Sequence, residues 1–257
     1  MTTTPCVIVY IDLVPLRDTG TAQSVDKAVA WLERTLMPAS LAEEYEFAFH
    51  RLGDSVVWLL PLNSPANLRH ASGHLFHALL RVVQTQDGIL AHGAMCHGVV
   101  KLGAVDVSNR GLSGPGIRQS QRLLSFWRSY PRVVVDPNLL RQVHRQPLLR
   151  AQHHAVADEL GYIQGLLKVD SDGAWFVDYL RAVQSDVDEP EDYVEVLTRH
   201  QHMIRQELTA AVGDGSVQNA DDYLRAMLWL ATYHNRTVRE IDPSLLVTSV
   251  PMLYEFP

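Results

Sequence analysis

Apolar strand-like runs and amphipathic segments alternate along the first 136 residues of the chain. Residues 6–13 (CVIVYIDL) are rich in β-branched side chains and end close to an acid, which is typical of a buried central strand. The apolar residues of the next segment recur at spacings of 4, 3 and 4, which predicts one buried face of an amphipathic helix. These residues are Val25, Val29, Leu32 and Leu36.

Two further strands are predicted around a Gly-Asp corner. Residues 45–51 alternate between apolar and polar side chains, and residues 55–62 are almost wholly apolar. Gly53-Asp54 stands between the two runs and is typical of a tight turn. The pattern therefore predicts a β-hairpin with Asp54 at its tip.

A second helix is predicted from Ser64, acting as N-cap, to Gly88. The pattern then predicts an apolar strand over residues 89–102, a helix over residues 117–127 and a short strand over residues 133–135. The order β-α-β-β-α-β, followed by one more helix and strand, predicts an α+β (α/β sandwich) protein with a ferredoxin-like core.

The second half of the chain predicts a hairpin followed by two long helices. The strands are predicted at residues 162–168 and 174–179, and the helices at about residues 191–212 and 219–240. Residues 170–173 (DSDG) form the predicted hairpin turn. No linker rich in Pro, Gly or Ser separates the halves. We therefore expect residues 151–257 to pack as an extension on a core of residues 1–150.

Composition narrows the classes of partner and compartment. The formal net charge is −7, and such a surface repels a phosphate backbone, so no nucleic-acid partner is expected. Two cysteines, Cys6 and Cys96, cannot form a disulfide framework and fit a reducing compartment. The apolar runs are far shorter than the roughly 20 residues that span a bilayer, and no signal peptide is visible. We expect a cytoplasmic protein without a membrane partner.

Asp12 and Asp54 are the acids whose positions suggest chemistry. In a β-α-β-β core the first strand lies beside the hairpin, so the two carboxylates can converge at one end of the sheet. Paired carboxylates suit hard divalent cations such as Mg²⁺ or Mn²⁺. Two such ions activate a hydroxyl and neutralise a polyphosphate leaving group. The alternative is that each acid only caps a strand or a turn.

An ordered set of motifs resembles the class III nucleotidyl cyclases over roughly residues 6–136. The motifs are the first strand with Asp12, the run Arg51-Leu52-Gly53-Asp54-Ser55, GAMCHG at residues 93–98, and GPGIRQSQRL at residues 114–123. The run Trp229-Leu-Ala-Thr-Tyr233-His234-Asn235 resembles small bacterial members of that family, the Pycsar pyrimidine cyclases of anti-phage defence.

The resemblance implies a site, a reaction and an assembly. Asp12, Asp54 and the backbone carbonyl of Leu13 are expected to bind two divalent cations, Mn²⁺ or Mg²⁺. Arg122 is expected to be the catalytic arginine that stabilises charge at the α-phosphate. The family forms head-to-tail homodimers in which that arginine comes from the partner chain. Its product is a 3′,5′-cyclic nucleotide, which acts as a second messenger on a separate effector.

Two positions depart from the family's phosphate-binding pattern. Pro15 removes one backbone N–H from the loop that cradles the triphosphate, and Arg17 can supply a charge-assisted contact instead. Arg118 stands where the family often has an asparagine that positions the ribose. The altered loop leaves open a second class of function, a non-enzymatic cyclase-like domain that senses nucleotide.

The expected base is uracil. His50, followed by Arg51, stands where purine cyclases keep a Lys or Glu, and residues 110–113 (RGLS) lack the partner acid or Cys. Hydrogen-bond donors at this site can satisfy the two carbonyls of uracil. UTP is therefore the expected substrate, with CTP next and ATP after it. The alternative is that His50 is only a structural strand residue.

Overall fold

The computed structural model describes residues 3–17, 23–36, 48–70, 73–108, 111–185, 187–213 and 220–248. The strands are β1 (Thr4–Pro15), β2 (Ala48–Leu52), β3 (Ser55–Pro61), β4 (Ala94–Ser108), β5 (Gly111–Ser113), β6 (Val133–Val135), β7 (Leu167–Val169) and β8 (Trp175–Val177). The α-helices are α1 (Ser24–Leu36), α2 (Pro65–His70), α3 (His74–Ala91), α4 (Pro115–Trp127), α5 (Pro137–Val143), α6 (Val156–Gly165), α7 (Tyr179–Val183), α8 (Pro190–Gly213) and α9 (Ala220–Val238). Short 3₁₀ turns lie at Pro147–Leu149 and Pro243–Leu245.

The described strands join in one mixed sheet of order β2-β3-β1-β4-β6-β8-β7, with β5 paired to β4 outside this path. Neighbours from β2 to β4 are antiparallel, β6 runs parallel to β4, and β8 is antiparallel to β6. Helices cover both sheet faces. The expected α+β sandwich class is therefore confirmed.

The alternation of side chains along β1 fills two cores. Val7, Val9 and Ile11 belong to the larger core, which also contains α1, α3 and the C-terminal helices. Ile8 and Tyr10 point to the opposite face, where α4 packs with Ile117 and Leu124. Successive residues of a strand face opposite sides of a sheet, so the uninterrupted apolar run reflects burial on both faces.

Helix α3 does not end at Gly88 as the sequence pattern predicts. Gly88 is buried inside the helix, where a Cβ atom would overlap the ring of Trp31 from α1. The glycine therefore makes room for an indole ring, and the chain reverses five residues later at Gly93 with a φ of 76°. The strand predicted from residue 89 consequently begins at Ala94.

Two other boundaries differ from the predicted ones. The helix predicted from Ser64 to Gly88 is divided, because Gly73 adopts a φ of 72° before α3. Ser64 does cap α2, accepting from the Asn67 N–H at 3.2 Å. Residues 162–165 end helix α6 rather than start a strand. The predicted strand residues 45–47 lie outside the described residues.

A buried guanidinium ties the C-terminal hairpin to the sheet. Arg132, which precedes β6, is ion-paired with Asp170 and Asp172 of the β7–β8 turn. The Trp229 indole N–H also donates to Asp170, at 2.8 Å. A buried charge that loses its partner is strongly destabilising, so the turn acids make the two halves of the chain interdependent.

His74, the first residue of α3, is a fully buried imidazole. Its Nε2 atom lies 3.0 Å from the Pro61 carbonyl and 3.3 Å from the Ser64 hydroxyl. Burial lowers the pKa of His74 to about 4. The pKa of a histidine in the unfolded chain is near 6.5. Between pH 4 and pH 6.5, His74 is therefore protonated in the unfolded chain and neutral in the folded chain.

Acidification is accordingly expected to destabilise the fold through His74. The contribution of neutral His74 to the free energy of unfolding is complete above pH 6.5 and is lost as the pH falls toward 4. The free energy of unfolding should fall by about 2 kcal/mol between pH 8 and pH 5. Urea unfolding at the two pH values measures the loss. The His74→Gln variant should lose less stability on acidification, whereas the exposed His202→Gln control should behave like the parent chain. Equal pH dependence in all three would contradict the assignment.

Candidate metal and nucleotide site

Asp12, Ser55 and His97 lie side by side on three neighbouring strands. Asp12 near the end of β1 is opposite Ser55 on β3 and opposite His97 on β4. Directly opposed residues of antiparallel strands share a face, and this face is the one that α4 covers further along the sheet. The register thus forms a polar row at one end of this face.

The Asp12 carboxylate is half-buried and oriented by its neighbour. The Ser55 hydroxyl donates to Asp12 Oδ1 at 2.5 Å. Asp54, at the hairpin tip, is exposed. Within the described residues neither acid is ion-paired with a Lys or Arg. Both carboxylates therefore keep oxygen lone pairs that a cation can use.

A backbone hydrogen bond places the chain segments that carry the two acids next to each other. The Leu13 N–H donates to the Asp54 carbonyl at 3.0 Å, which extends the β1–β3 pairing into the turn. The N–H and C=O of a strand residue point to the same side, so the Leu13 carbonyl also faces this turn. The described residues contain no group of three or more His, Cys, Asp or Glu side chains that could hold a metal ion. A Mg²⁺ ion commonly takes one or two carboxylates plus substrate phosphates, and this donor set fits that pattern.

His97 is a site residue that the sequence reasoning did not single out. It is 6% exposed, and its Nδ1–H donates to the Tyr130 carbonyl at 2.8 Å, since a carbonyl only accepts. Burial lowers the pKa of His97. The hydrogen bond to the Tyr130 carbonyl opposes this shift, Arg128 adds to it, and Asp12 opposes it. The ring is therefore neutral at pH 7 and presents Nε2 as an acceptor. The run GAMCHG contains this residue, but only the β1–β4 register places it beside Asp12.

A pocket of about 580 Å³ opens beside this row. It lies between the end of β1, the start of β4, the segment after α4, and α9. Arg17, His97 and Arg128 are its basic lining residues, and Tyr223 faces them from α9. The predicted phosphate contact Arg17 thus lies at the wall of a cavity that is also lined by His97, the residue opposite Asp12.

The two predicted base-contacting residues lie on opposite faces of the hairpin. His50 is opposite Val57, on the same face as Asp12, and its Nε2 is buried without a hydrogen-bond partner among the described residues. Burial lowers the pKa of His50. Arg51 instead ion-pairs with Asp26 of α1 at 2.5 Å. Of these two residues, only His50 is therefore placed on the face of Asp12.

The two predicted arginines of α4 point away from their own sheet. Arg118 and Arg122 are one helical turn apart and exposed, whereas Gly116, Ile117 and Ser120 are buried. Neither arginine forms an ion pair within the described part of the chain. Of the predicted residues 110–113, Arg110 lies outside the described residues.

The C-terminal motif of residues 229–235 has structural contacts. The Tyr233 hydroxyl donates to Asp178 at 2.7 Å and accepts from the Leu180 N–H at 3.0 Å. Asn235 exchanges two hydrogen bonds with the backbone of Val247. These residues hold α9 against its neighbours and do not line the pocket beside Asp12.

Comparison with models of known protein families finds no match, and no curated protein matches the chain. Among the described residues no helix is long and apolar enough to cross a membrane.

Proposed function

We propose that the protein is a class III nucleotidyl cyclase that converts UTP to 3′,5′-cyclic UMP and pyrophosphate. The observation that carries the proposal is that Asp12 and Asp54 lie on adjacent chain segments. The N–H of Leu13, the residue after Asp12, donates to the Asp54 carbonyl at 3.0 Å. The antiparallel strand order β2-β3-β1-β4 also supports it, because a β-α-β-β-α-β ferredoxin-like core has its strands in that order.

Asp12, Asp54 and the Leu13 carbonyl would hold two divalent cations, Mn²⁺ or Mg²⁺, which supply activation of a hydroxyl and neutralisation of leaving-group charge. Ser55 fixes the orientation of one ligand by donating to Asp12. The exposed Asp54 leaves room for a substrate to approach from the open side of the hairpin.

The remaining basic residues would bind and orient the nucleotide. Arg17 contacts the terminal phosphates from the pocket beside β1. The ribose 3′-hydroxyl then loses its proton to water, and its oxygen attacks the α-phosphorus in line with the departing pyrophosphate, whose bond to that phosphorus breaks. Arg122 of a second chain stabilises the charge on the α-phosphate, with Arg118 adding positive charge nearby. The exposure of both arginines on the outer side of α4 supports a role toward a partner in a homodimer.

His50 would read the base. At pH 7 its burial favours the neutral ring, which carries one N–H donor and one acceptor. Uracil offers two carbonyl acceptors and one N–H donor, so a single imidazole can bond either kind of group. The product cyclic UMP would act as a second messenger on a separate effector in anti-phage defence.

The direct test is incubation of the purified chain with each of the four nucleoside triphosphates and Mn²⁺, followed by chromatography. UTP should give the most cyclic product, CTP less, and the purines little. A chain that converts none of the four would contradict the cyclase proposal and favour a nucleotide-sensing domain. A preference for ATP would contradict the pyrimidine assignment.

The His50→Ala variant should narrow the preference for UTP over CTP. Binding of a base that leaves a buried polar group unpaired loses roughly 1–3 kcal/mol of binding free energy. This loss corresponds to about 5- to 150-fold in kcat/KM. Competition kinetics with both substrates measure the ratio. Arg51→Ala is the matched control, because Arg51 contacts Asp26 on the other face, and should leave the ratio unchanged. An unaltered ratio in His50→Ala would mean that pocket size alone selects the base.

A further inference from the structure

A buried polar contact fixes the segment after β1 to the C-terminal helices. The Arg17 backbone N–H faces two acceptors, Glu207 Oε2 at 2.8 Å and the Tyr223 hydroxyl oxygen at 3.0 Å. The Tyr223 hydroxyl donates to the same Glu207 oxygen at 2.5 Å. Glu207 on α8 is fully buried and Tyr223 on α9 is nearly so. Groups paired away from water hold their geometry more firmly than surface pairs.

Tyr223 also orients the side chain of Arg17. The guanidinium carbon lies 4.3 Å from the centroid of the Tyr223 ring, within the range of a cation–π contact. One tyrosine therefore fixes both the backbone and the charged end of Arg17. Only four residues separate Arg17 from Asp12, so the contact also sets the path of the chain that leaves the acid pair.

Helix α9 forms one wall of the pocket that Arg17 and His97 line. Tyr223, Asp222 and Ala226 line the cavity opposite Pro15 and His97. A volume of about 580 Å³ lies within the range of small-molecule sites. Helix α9 therefore supplies three of the residues that line the cavity.

We propose that the C-terminal helices complete the nucleotide site, with Tyr223 and Glu207 as positioning residues that hold Arg17 toward the polyphosphate of the substrate. The inference rests on the proposed function and extends the same site to α8 and α9. Binding gains from such an anchor because the arginine need not be ordered when the ligand arrives.

The test measures binding of inorganic tripolyphosphate to the full chain by calorimetry in the presence of Mg²⁺. Tyr223→Phe keeps the ring and removes the hydroxyl, and should weaken binding about 5-fold, the equivalent of one ordinary hydrogen bond. The KM for UTP should rise by a similar factor while kcat changes less. Tyr193→Phe is the matched control, because the Tyr193 hydroxyl on α8 is buried without a hydrogen-bond partner in the described chain, and should bind like the parent.

A double-mutant cycle separates positioning from a general structural role. In an Arg17→Ala background the Tyr223→Phe change should no longer affect tripolyphosphate binding, because the group that Tyr223 positions is gone. Thermal unfolding establishes that each variant is folded. If Tyr223→Phe does not fold, Glu207→Gln, which keeps the side-chain volume, takes its place.

Three results would overturn the inference. They are a parent chain that binds no tripolyphosphate, a folded Tyr223→Phe or Glu207→Gln variant that binds it as tightly as the parent, and an effect that persists without Arg17. Failure of the parent to cyclise any nucleotide contradicts the proposed function separately, since tripolyphosphate binding is measured without turnover.

Discussion

Asp12→Ala and Asp54→Ala should each reduce cyclisation of UTP by at least about 10³-fold, because two-metal stabilisation of several kcal/mol is lost and each 1.4 kcal/mol is about tenfold in rate. The described residues contain no group of three or more His, Cys, Asp or Glu side chains that could hold a metal ion, so no further acid there is placed to replace either one. Steady-state kcat/KM in Mn²⁺ measures the loss.

Two further variants make the result specific. Asp12→Asn keeps an oxygen that can accept from Ser55, so the local strand pairing is preserved while the charge is removed. Asp26→Ala removes an exposed acid on α1 and should leave kcat/KM unchanged. Near-parental activity in a folded Asp12 or Asp54 variant would contradict the metal-ligand assignment.

Mixing two inactive variants should restore activity. If Arg122 acts on the partner's nucleotide, a dimer of one Asp54→Ala chain and one Arg122→Ala chain contains one intact site and one site with both defects. Random exchange makes half of the dimers mixed, and each mixed dimer has one intact site out of two. About a quarter of the parental activity is therefore expected. Activity is measured after labelled chains are shown to exchange.

The control for this experiment is a mixture of Asp12→Ala and Asp54→Ala chains. Both variants lack the acid pair of their own site, so no combination of them has an intact site and the mixture should stay inactive. If the Asp54→Ala and Arg122→Ala chains exchange and the mixture remains inactive, Arg122 does not act across the dimer. It would then act in the same site as the Asp12 and Asp54 of its own chain, or lie outside the site.

Local patterns were sufficient for much of the fold. The β-branched run of β1, the Gly53-Asp54 turn and the three valines of β6 carry their signals within a few residues, and the structure has elements at each of them. The helix end predicted at Gly88 was wrong. A glycine commonly marks a helix end, but it also occurs inside a helix where a residue distant in sequence fills the space that a side chain would take. Here Trp31 does so, which no local pattern contains.

The site was predictable only in part, for the same reason. The alternation of a strand is enough to place His50 and Arg51 on opposite faces, and the structure does so. His97 beside Asp12 requires the register between β1 and β4. The contact of Arg17 with Tyr223 joins residues 206 positions apart, so only the packing of α9 against the sheet reveals it.

The position of β6 within the sheet has a consequence during protein synthesis. Val133–Val135 pairs with β4 on one side and with β8 on the other, and β8 begins 40 residues later, at Trp175. At about 5–20 residues per second, a ribosome needs about 2–8 s to add that stretch. Until then the nascent chain presents a bare valine edge that another unfinished chain could pair with, and the short length of β6, three residues, keeps that edge small.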